Sequence, residues 1–349
     1  MHKESEEKIM KKKVLSLMVA AAMALTMLGG CGNSGNAGSA SGAGNANNAG
    51  GSAKTYKVGI CQLVQHEALD AATEGFSDAL RDELGEDAVD IDVQNAAGDS
   101  AQCATIANGF VSSGYDLIMA NATPALQAAV ASTGEIPIVG TSVTDYATAL
   151  EIDDWTGKTG INVTGTSDLA PLAEQAAMLK DIFPASEYKN VGILYCTAEA
   201  NSKYQADEIK KELTEMGYAV YDYTFSDTND VASVTTNACQ GSDVIYIPTD
   251  NTAASCTETI DSIARPAGIP IVAGEEGICK VCGTVTLSIN YYDIGYAAGE
   301  IAASILKDGK DPKDIEIGFA KNVTKEFNPE ICNALGINVP DDYKEIAKD

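Results

Sequence analysis

The chain's polar side chains gather where short apolar runs end. In residues 242–251, SDVIYIPTDN, the strand-like run Val244–Ile247 is followed by Thr249, Asp250 and Asn251. Residues 115–124, YDLIMANATP, repeat the phrase and end in Asn121 and Thr123. Other strand ends supply Gln62, Gln65 and His66, then Thr141, Ser142 and Asp145, then Glu199, Asn201 and Glu275, and last Asn290, Tyr291 and Asp293. This set holds hydroxyls, amides and carboxylates but no arginine; the chain's arginines are Arg81 and Arg265. Its chemistry is recognition by hydrogen bonds. Hydroxyls and the N–H groups of helix starts suit a ligand carboxylate, and side-chain carboxylates suit an ammonium. An amino acid carries both groups and fits better than a sugar phosphate or a dicarboxylate.

Several of these residues have a second possible role. Asp250 and Thr123 stand where helix N-caps belong, and His66 suits a cap or a cleft wall. Tyr291 and Tyr292 are adjacent, so they point in different directions and at most one walls a ligand. Trp155, the single tryptophan, suits a cleft rim or a loop anchor.

Covalent chemistry finds no support. The histidines are His2 and His66, and no HExxH, GxSxG, GxGxxG or GxxxxGK[ST] motif is present. No catalytic residue, metal or cofactor is expected. Cys279 and Cys282 form a CxxC, but no second CxxC completes a zinc site. Either free thiols or a disulfide is compatible with them. Cys61, Cys103, Cys196, Cys239 and Cys256 fall within strand or helix patterns and read as small buried hydrophobes.

The elements that must position the polar ends form one α/β unit written twice. Gly59 and Gly192 lie 133 residues apart, as do Ile136 and Ile269, and Asp116 and Asp243 lie 127 apart. Each copy alternates strand and helix, which implies parallel sheets covered on both faces and a cleft at the carboxyl ends of the strands. The fold class is therefore α/β, with two similar Rossmann-like lobes joined by a three-strand hinge. Residues 56–163 plus 285–312 are assigned to the first lobe, and 164–284 plus 313–349 to the second. Residues 160–165, GINVTG, read as the first crossing, and the amphipathic segment from Tyr291 as a helix returning to the first lobe.

The chain of 349 residues carries a net charge of −27, which opposes nucleic-acid binding. Residues 1–30 read as a secretory signal, with Lys11, Lys12 and Lys13 before an apolar core. The ending Leu28-Gly29-Gly30-Cys31 resembles a bacterial lipobox, which implies lipidation of Cys31 and anchoring to the outer face of the cell membrane. Residues 31–55 then form a Gly/Ser/Ala/Asn tether too polar to fold alone.

Read together, these phrases resemble the ABC-transporter substrate-binding lipoproteins of the tryptophan/tyrosine type, which have the type I periplasmic-binding-protein fold. The matching stretches include VGICQLVQHEALDAATEGF (58–76), NATPALQAA (121–129), IPIVGTSVTD (136–145) and NVTGTSDLAP (162–171). Others are VGILYCTAEANS (191–202), IYIPTDNTAAS (245–255), IPIVAGEEG (269–277) and NYYDIGYAAGEIAASIL (290–306). The resemblance spans about residues 56–340. It implies a monomeric receptor that closes around tryptophan, tyrosine or phenylalanine and delivers it to a permease driven by a separate ATPase. It places Thr123, Thr141, Asp145, Asn201, Thr249, Asp250, Asn251 and Glu275 on the family's cleft segments. Tyr146 stands where the family usually has proline, which predicts a reshaped pocket rim, and Cys279 and Cys282 are also departures. A lipid-anchored sensor for a signalling partner, or an importer receptor for another small metabolite, remains the alternative.

Overall fold

The computed structural model describes residues 54–347. The expected signal, Cys31 and almost all of the tether lie outside them. Two largely parallel sheets carry the chain, their central strands apolar enough to be buried between layers of helices. The first holds β1 (Tyr56–Gln62), β2 (Val89–Asn95), β3 (Leu117–Asn121), β4 (Ile138–Val143) and β5 (Val163–Ser167). The second holds β6 (Asn190–Cys196), β7 (Ala219–Phe225), β8 (Val244–Ile247), β9 (Ile271–Ala273) and β10 (Val285–Ser288). Their orders are β2-β1-β3-β4-β5 and β7-β6-β8-β9-β10, so the duplication read from the sequence is a duplication of topology. Three later strands extend the edges: β11 (Gly318–Phe319) pairs with β5, β12 (Thr324–Phe327) pairs antiparallel with β10, and β13 (Lys344–Glu345) pairs with β12.

This arrangement corrects the expected lobe boundaries. Val285–Ser288 belongs to the second sheet, with Val285 opposite Val272, because it is the fifth strand of the second repeat. The return to the first lobe begins only with the Tyr291–Asp308 helix. Residues 163–167 are the fifth strand of the first sheet and not a crossing. Gly318–Phe319, expected in the second lobe, pairs with Thr166 and Ser167 in the first. The chain therefore crosses between lobes at residues 168–171, 289–290 and 320–323.

The Tyr291–Asp308 helix packs on the Glu67–Leu84 helix at very short range. A Cβ at Gly75 would lie 2.2 Å from the Tyr292 carbonyl oxygen, and one at Gly295 would lie 2.1 Å from that of Ala72. Only glycine permits this approach. Val58, Ile60, Phe76, Leu80, Met119, Ala298 and Ala302 form the core beneath these helices. Cys61, Cys103, Ile106, Phe110, Leu126 and Tyr146 form the core on the sheet's other face, with Trp155 packed against it as a loop anchor.

Candidate functional site

The carboxyl ends of β3 and β4 carry backbone strain. Ala122 has φ 94° and Ser142 has φ 54°, both in a region that residues with a side chain seldom occupy. Such strain persists where the surroundings over-determine it, often at ligand sites. Beside it, Thr123 starts the Thr123–Ser132 helix with Pro124 in its first turn. Thr123 Oγ1 and Ser142 Oγ are buried and have no hydrogen-bond partner. Asn121 Nδ2 donates to the Leu69 carbonyl at 2.8 Å, and Gln62 Nε2 to Asp70 Oδ1 at 2.7 Å, so these two strand-end amides brace the Glu67–Leu84 helix.

In the second lobe the carboxylates are committed to the backbone. Asp250 accepts from Ala253 N at 2.7 Å as the cap of the Asn251–Ala254 helix, and from Cys196 N at 2.6 Å. Glu275 caps the Glu276–Val281 helix through Ile278 N at 2.6 Å and Gly277 N at 2.7 Å. Glu199 accepts from Asn251 Nδ2 at 2.6 Å and N at 3.1 Å with one oxygen, and from Thr252 Oγ1 at 2.7 Å and N at 2.9 Å with the other. Burial pushes Asp250 up to about 7, helped by the neighbouring Glu199, and likewise pushes Glu275 up to about 7. In the Ala200–Glu215 helix, Asn201 Nδ2 donates to the Thr249 carbonyl at 3.0 Å, which leaves Asn201 Oδ1 buried and unpartnered.

Asp168, at the first crossing, is buried at 4 % exposure and lies against Tyr291 at the second. Tyr291 Oη donates to Asp168 Oδ2 at 3.0 Å, while Asp168 Oδ1 has no partner. Burial raises the Asp168 carboxyl to about 6, against hydrogen bonds from Thr144 and Tyr291 that hold it down. Asp168 and Tyr291 line a small cavity of ≈ 10 Å³, about the room of a single water, with His66, Thr249, Asp250, Asn251 and Glu275, and among the described residues no lysine or arginine lines it.

The lobes meet across this cavity. His66 Nε2 lies 3.2 Å from Asn251 Oδ1, and Lys280 Nζ lies 3.0 Å from Glu67 Oε1. Gln205 Nε2 donates to Thr144 Oγ1 at 3.2 Å and also to Thr249 Oγ1, and Thr249 N donates to Gln205 Oε1 at 3.2 Å. Wider grooves open on either side. One, of ≈ 470 Å³, is lined by Leu63, Val64, Pro124, Glu199 and Asn251 among others, and the second includes Gln65, His66 and Glu275.

The residues singled out from the sequence fall into three groups. His66, Thr249, Asp250, Asn251, Glu275 and Tyr291 share the central cavity. Thr123 and Asn201 are buried at the starts of helices that face it from the strand ends, and Gln65 is exposed at a groove mouth. Thr141, Asp145 and Asp293 are placed elsewhere. Thr141 Oγ1 meets Thr166 Oγ1 at 3.0 Å inside the first sheet, because β4 runs on to Val143 and turns that side chain toward the Tyr291–Asp308 helix. Asp145 accepts from Thr148 N at 2.7 Å as a helix cap. Asp293 is exposed and lines a separate groove beside the hinge residues Asn290 and Ala320.

Asp168 and Gln205 do not stand out in the sequence, whereas Ser142 and Glu199 are among its polar strand ends. Asp168 follows the last residue of β5, a strand end like the others, but GINVTG reads as linker because its glycines mask the apolar alternation. Tyr146 does not shape the rim. Its ring enters the first-lobe core and its hydroxyl donates to the Thr166 carbonyl at 3.1 Å, over Gly140 and Gly165, where a Cβ would lie 2.5 Å from that oxygen. Cys279 and Cys282 are buried free thiols in and just after the Glu276–Val281 helix, with their ionisation pushed up by burial. Among the described residues no group of His, Cys, Asp and Glu is arranged to hold a metal.

The chain is similar to the tyrosine-binding protein of Clostridioides difficile, with 36 % identity over 329 residues, 94 % of this chain and 93 % of that one. It is similar to a Streptococcus pneumonia ABC domain solved in complex with L-Trp: 32 % identity, TM-score 0.78, covering 82 % of this chain and 97 % of that one. It also matches a ligand-free, open substrate-binding protein with adhesive properties from Clostridium difficile: 35 % identity, TM-score 0.64, covering 84 % and 100 %. The more identical of these two structures superposes less well, which is the signature of a different lobe angle. With His66, Lys280 and Gln205 bridging the lobes, the present arrangement is the closed one. A family model of ABC transporter substrate binding proteins matches residues 57–349. The chain belongs to that family, as an extracytoplasmic solute-binding component of an ABC importer.

Proposed function

We propose that the cleft holds an aromatic amino acid as its zwitterion, for uptake through a membrane permease and its ATPase. The observation that carries this reading is how the unpartnered buried atoms sort. Thr123 Oγ1 and Ser142 Oγ are hydroxyls able to donate, at the strained strand ends and beside a helix start. Asn201 Oδ1 can only accept, as can Asp168 Oδ1 when its carboxyl is ionised. Buried polar atoms left unpaired are costly, so these atoms, with Asn121 Oδ1 beside Thr123, favour a ligand that pairs them. A carboxylate suits the donors and an ammonium suits the acceptors. Leu63, Val64 and Pro124 offer an apolar wall for the side chain in the adjoining groove. The aromatic character rests on the relatives, one named for tyrosine and one solved with L-Trp. Residues 1–30 as a signal and Cys31 as a lipid anchor complete the reading, holding the receptor beside its permease.

Calorimetry with L-tyrosine, L-tryptophan, tyramine and 3-(4-hydroxyphenyl)propionate tests it. Binding of an amino acid with loss of at least about 100-fold for both truncated analogues is expected, since each leaves buried groups unpaired. Equal binding of tyramine or of the propionate would sink the zwitterion reading.

A further inference from the structure

Four carboxylates stand at or beside the central cavity, and only one has an oxygen to spare. Asp250 and Glu275 each give both oxygens to backbone N–H groups, and Glu199 gives both to Asn251 and Thr252. Asp168 spends Oδ2 on Tyr291 and keeps Oδ1 buried and unpaired within the closed cleft. It also occupies a special place in the chain. Asp168 is the first residue of the first hinge crossing, and Tyr291 follows the second crossing directly. Their hydrogen bond ties two of the three crossings together. Thr144, a partner of Asp168, receives Gln205 from the second lobe at 3.2 Å.

We propose that Asp168 is the ammonium receptor of the cleft and that its bond to Tyr291 couples ammonium capture to hinge closure. The inference rests on the zwitterion reading above and adds the residue that reads the cation and the route to the hinge. Tyr291 is a positioning residue: its hydroxyl aims Asp168 and does not itself meet the cation. In the open cleft water solvates the carboxylate. Closure removes that water, and a ligand ammonium replaces it with a paired charge in a low-dielectric site, so closure is favoured when the ligand carries the cation. A deaminated ligand of the same shape leaves Asp168 Oδ1 unpaired and resists closure.

The groups facing Asp168 agree with this. Tyr291 and Tyr146 are neutral phenols, raised far by burial and by Asp168 itself. Burial lowers His66, which is neutral at neutral pH, and Asp250 and Glu275 add only negative charge. No protein cation competes for the site.

The test is calorimetry and small-angle scattering on the purified protein with L-tyrosine and L-tryptophan, for wild type, Asp168→Asn, Tyr291→Phe and the control Tyr292→Phe. Asp168→Asn is expected to lose at least about 100-fold in affinity, as for a buried charge pair broken on one side. Tyr291→Phe is expected to lose about 10-fold, as for one hydrogen bond to a charged group, and to close less at saturation. A purely structural role would not move the pH profile. Here affinity falls as acid protonates Asp168, and removing the Tyr291 hydroxyl, which holds that carboxyl down, moves the fall to higher pH. Tyr292→Phe, whose hydroxyl bonds Asp78 on the outer face, leaves all three readouts unchanged. Asp168→Asn binding within about threefold of wild type overturns the receptor assignment. Tyr291→Phe with an unshifted profile and full closure overturns the coupling. Wild type binding neither amino acid overturns this inference together with the reading beneath it, whereas folded variants are verified by melting before any comparison.

Discussion

His66 Nε2 and Asn251 Oδ1 lie 3.2 Å apart across the cleft mouth, although 185 residues separate them in the chain. Asn251 has already given its amide N–H to Glu199, so its oxygen is the acceptor and the imidazole the donor. The bond exists only while the lobes are closed. It is a latch over the cavity, placed between the two wider grooves.

Removing the latch should speed ligand escape. His66→Ala is expected to raise the dissociation rate about 5-fold to 10-fold, the worth of one partly buried hydrogen bond, and to leave association nearly unchanged. Stopped-flow displacement measures both rates. Equal dissociation rates in the two proteins would show that the contact forms only after the slow step. Acid should act in the same direction. His66 is held below its ordinary value by burial, so the open form takes up the proton more readily. Closure is therefore favoured above the ordinary histidine range and weakens as pH falls below it.

Asp250 carries a different prediction from the one its sequence position suggests. As a ligand partner it would be removable at the cost of binding alone. Its carboxylate instead holds Ala253 N and Cys196 N, so Asp250→Ala removes a helix cap and orphans a buried strand N–H. A loss of about 2–4 kcal/mol in stability is expected, seen in urea or thermal unfolding without ligand. Unchanged unfolding with weakened binding would return Asp250 to the ligand.

The contrast shows what the sequence made legible. The duplicated unit was readable because Val244–Ile247 and Leu117–Asn121 sit in matching phrases, and strand type follows from such apolar runs. Polar strand ends were readable as a cleft for the same reason. Individual roles were not, because a cap and a ligand contact use the same residue types at the same positions: Asp145, Asp250 and Glu275 all turned out to cap. Val285–Ser288 was placed in the wrong lobe because it abuts the returning helix, and strand pairing is non-local. Asp168 became visible only once β5 was seen to be a strand.

The buried carboxylates also set the pH dependence of the ligand-free protein. Asp250 lies at about 7 and Glu275 at about 7, each above its value in an unfolded chain, and both cap helices within the second lobe. The folded state then binds more protons than the unfolded state between about pH 4 and pH 7, so stability falls as pH rises through that window. His66, lowered by burial, works in the opposite sense. The melting temperature without ligand should be higher at about pH 5 than at about pH 8, and Glu275→Gln should flatten the slope. A melting temperature that rises steadily with pH would contradict the carboxylates' environment.

Gly165 offers the sharpest test of how the first lobe supports the site. It has φ +148°, and a Cβ there would lie 2.0 Å from the Gly140 carbonyl oxygen and 2.5 Å from Tyr146 Oη. The backbone carbonyl cannot give way without displacing β4, and Tyr146 is held by its bond to Thr166. Gly165→Ala is therefore expected to cost more than about 3 kcal/mol, from strain and overpacking together. Tyr146→Phe removes the crowded hydroxyl but orphans nothing charged, and should cost about 1 kcal/mol. If crowding by Tyr146 Oη is part of the glycine's constraint, the double variant Gly165→Ala with Tyr146→Phe should be less unstable than the two losses added. Strict additivity in urea unfolding would assign the whole constraint to the Gly140 carbonyl, and an unaffected Gly165→Ala protein would refute the close approach of β4 and β5 that brings Asp168 N to the Val143 carbonyl.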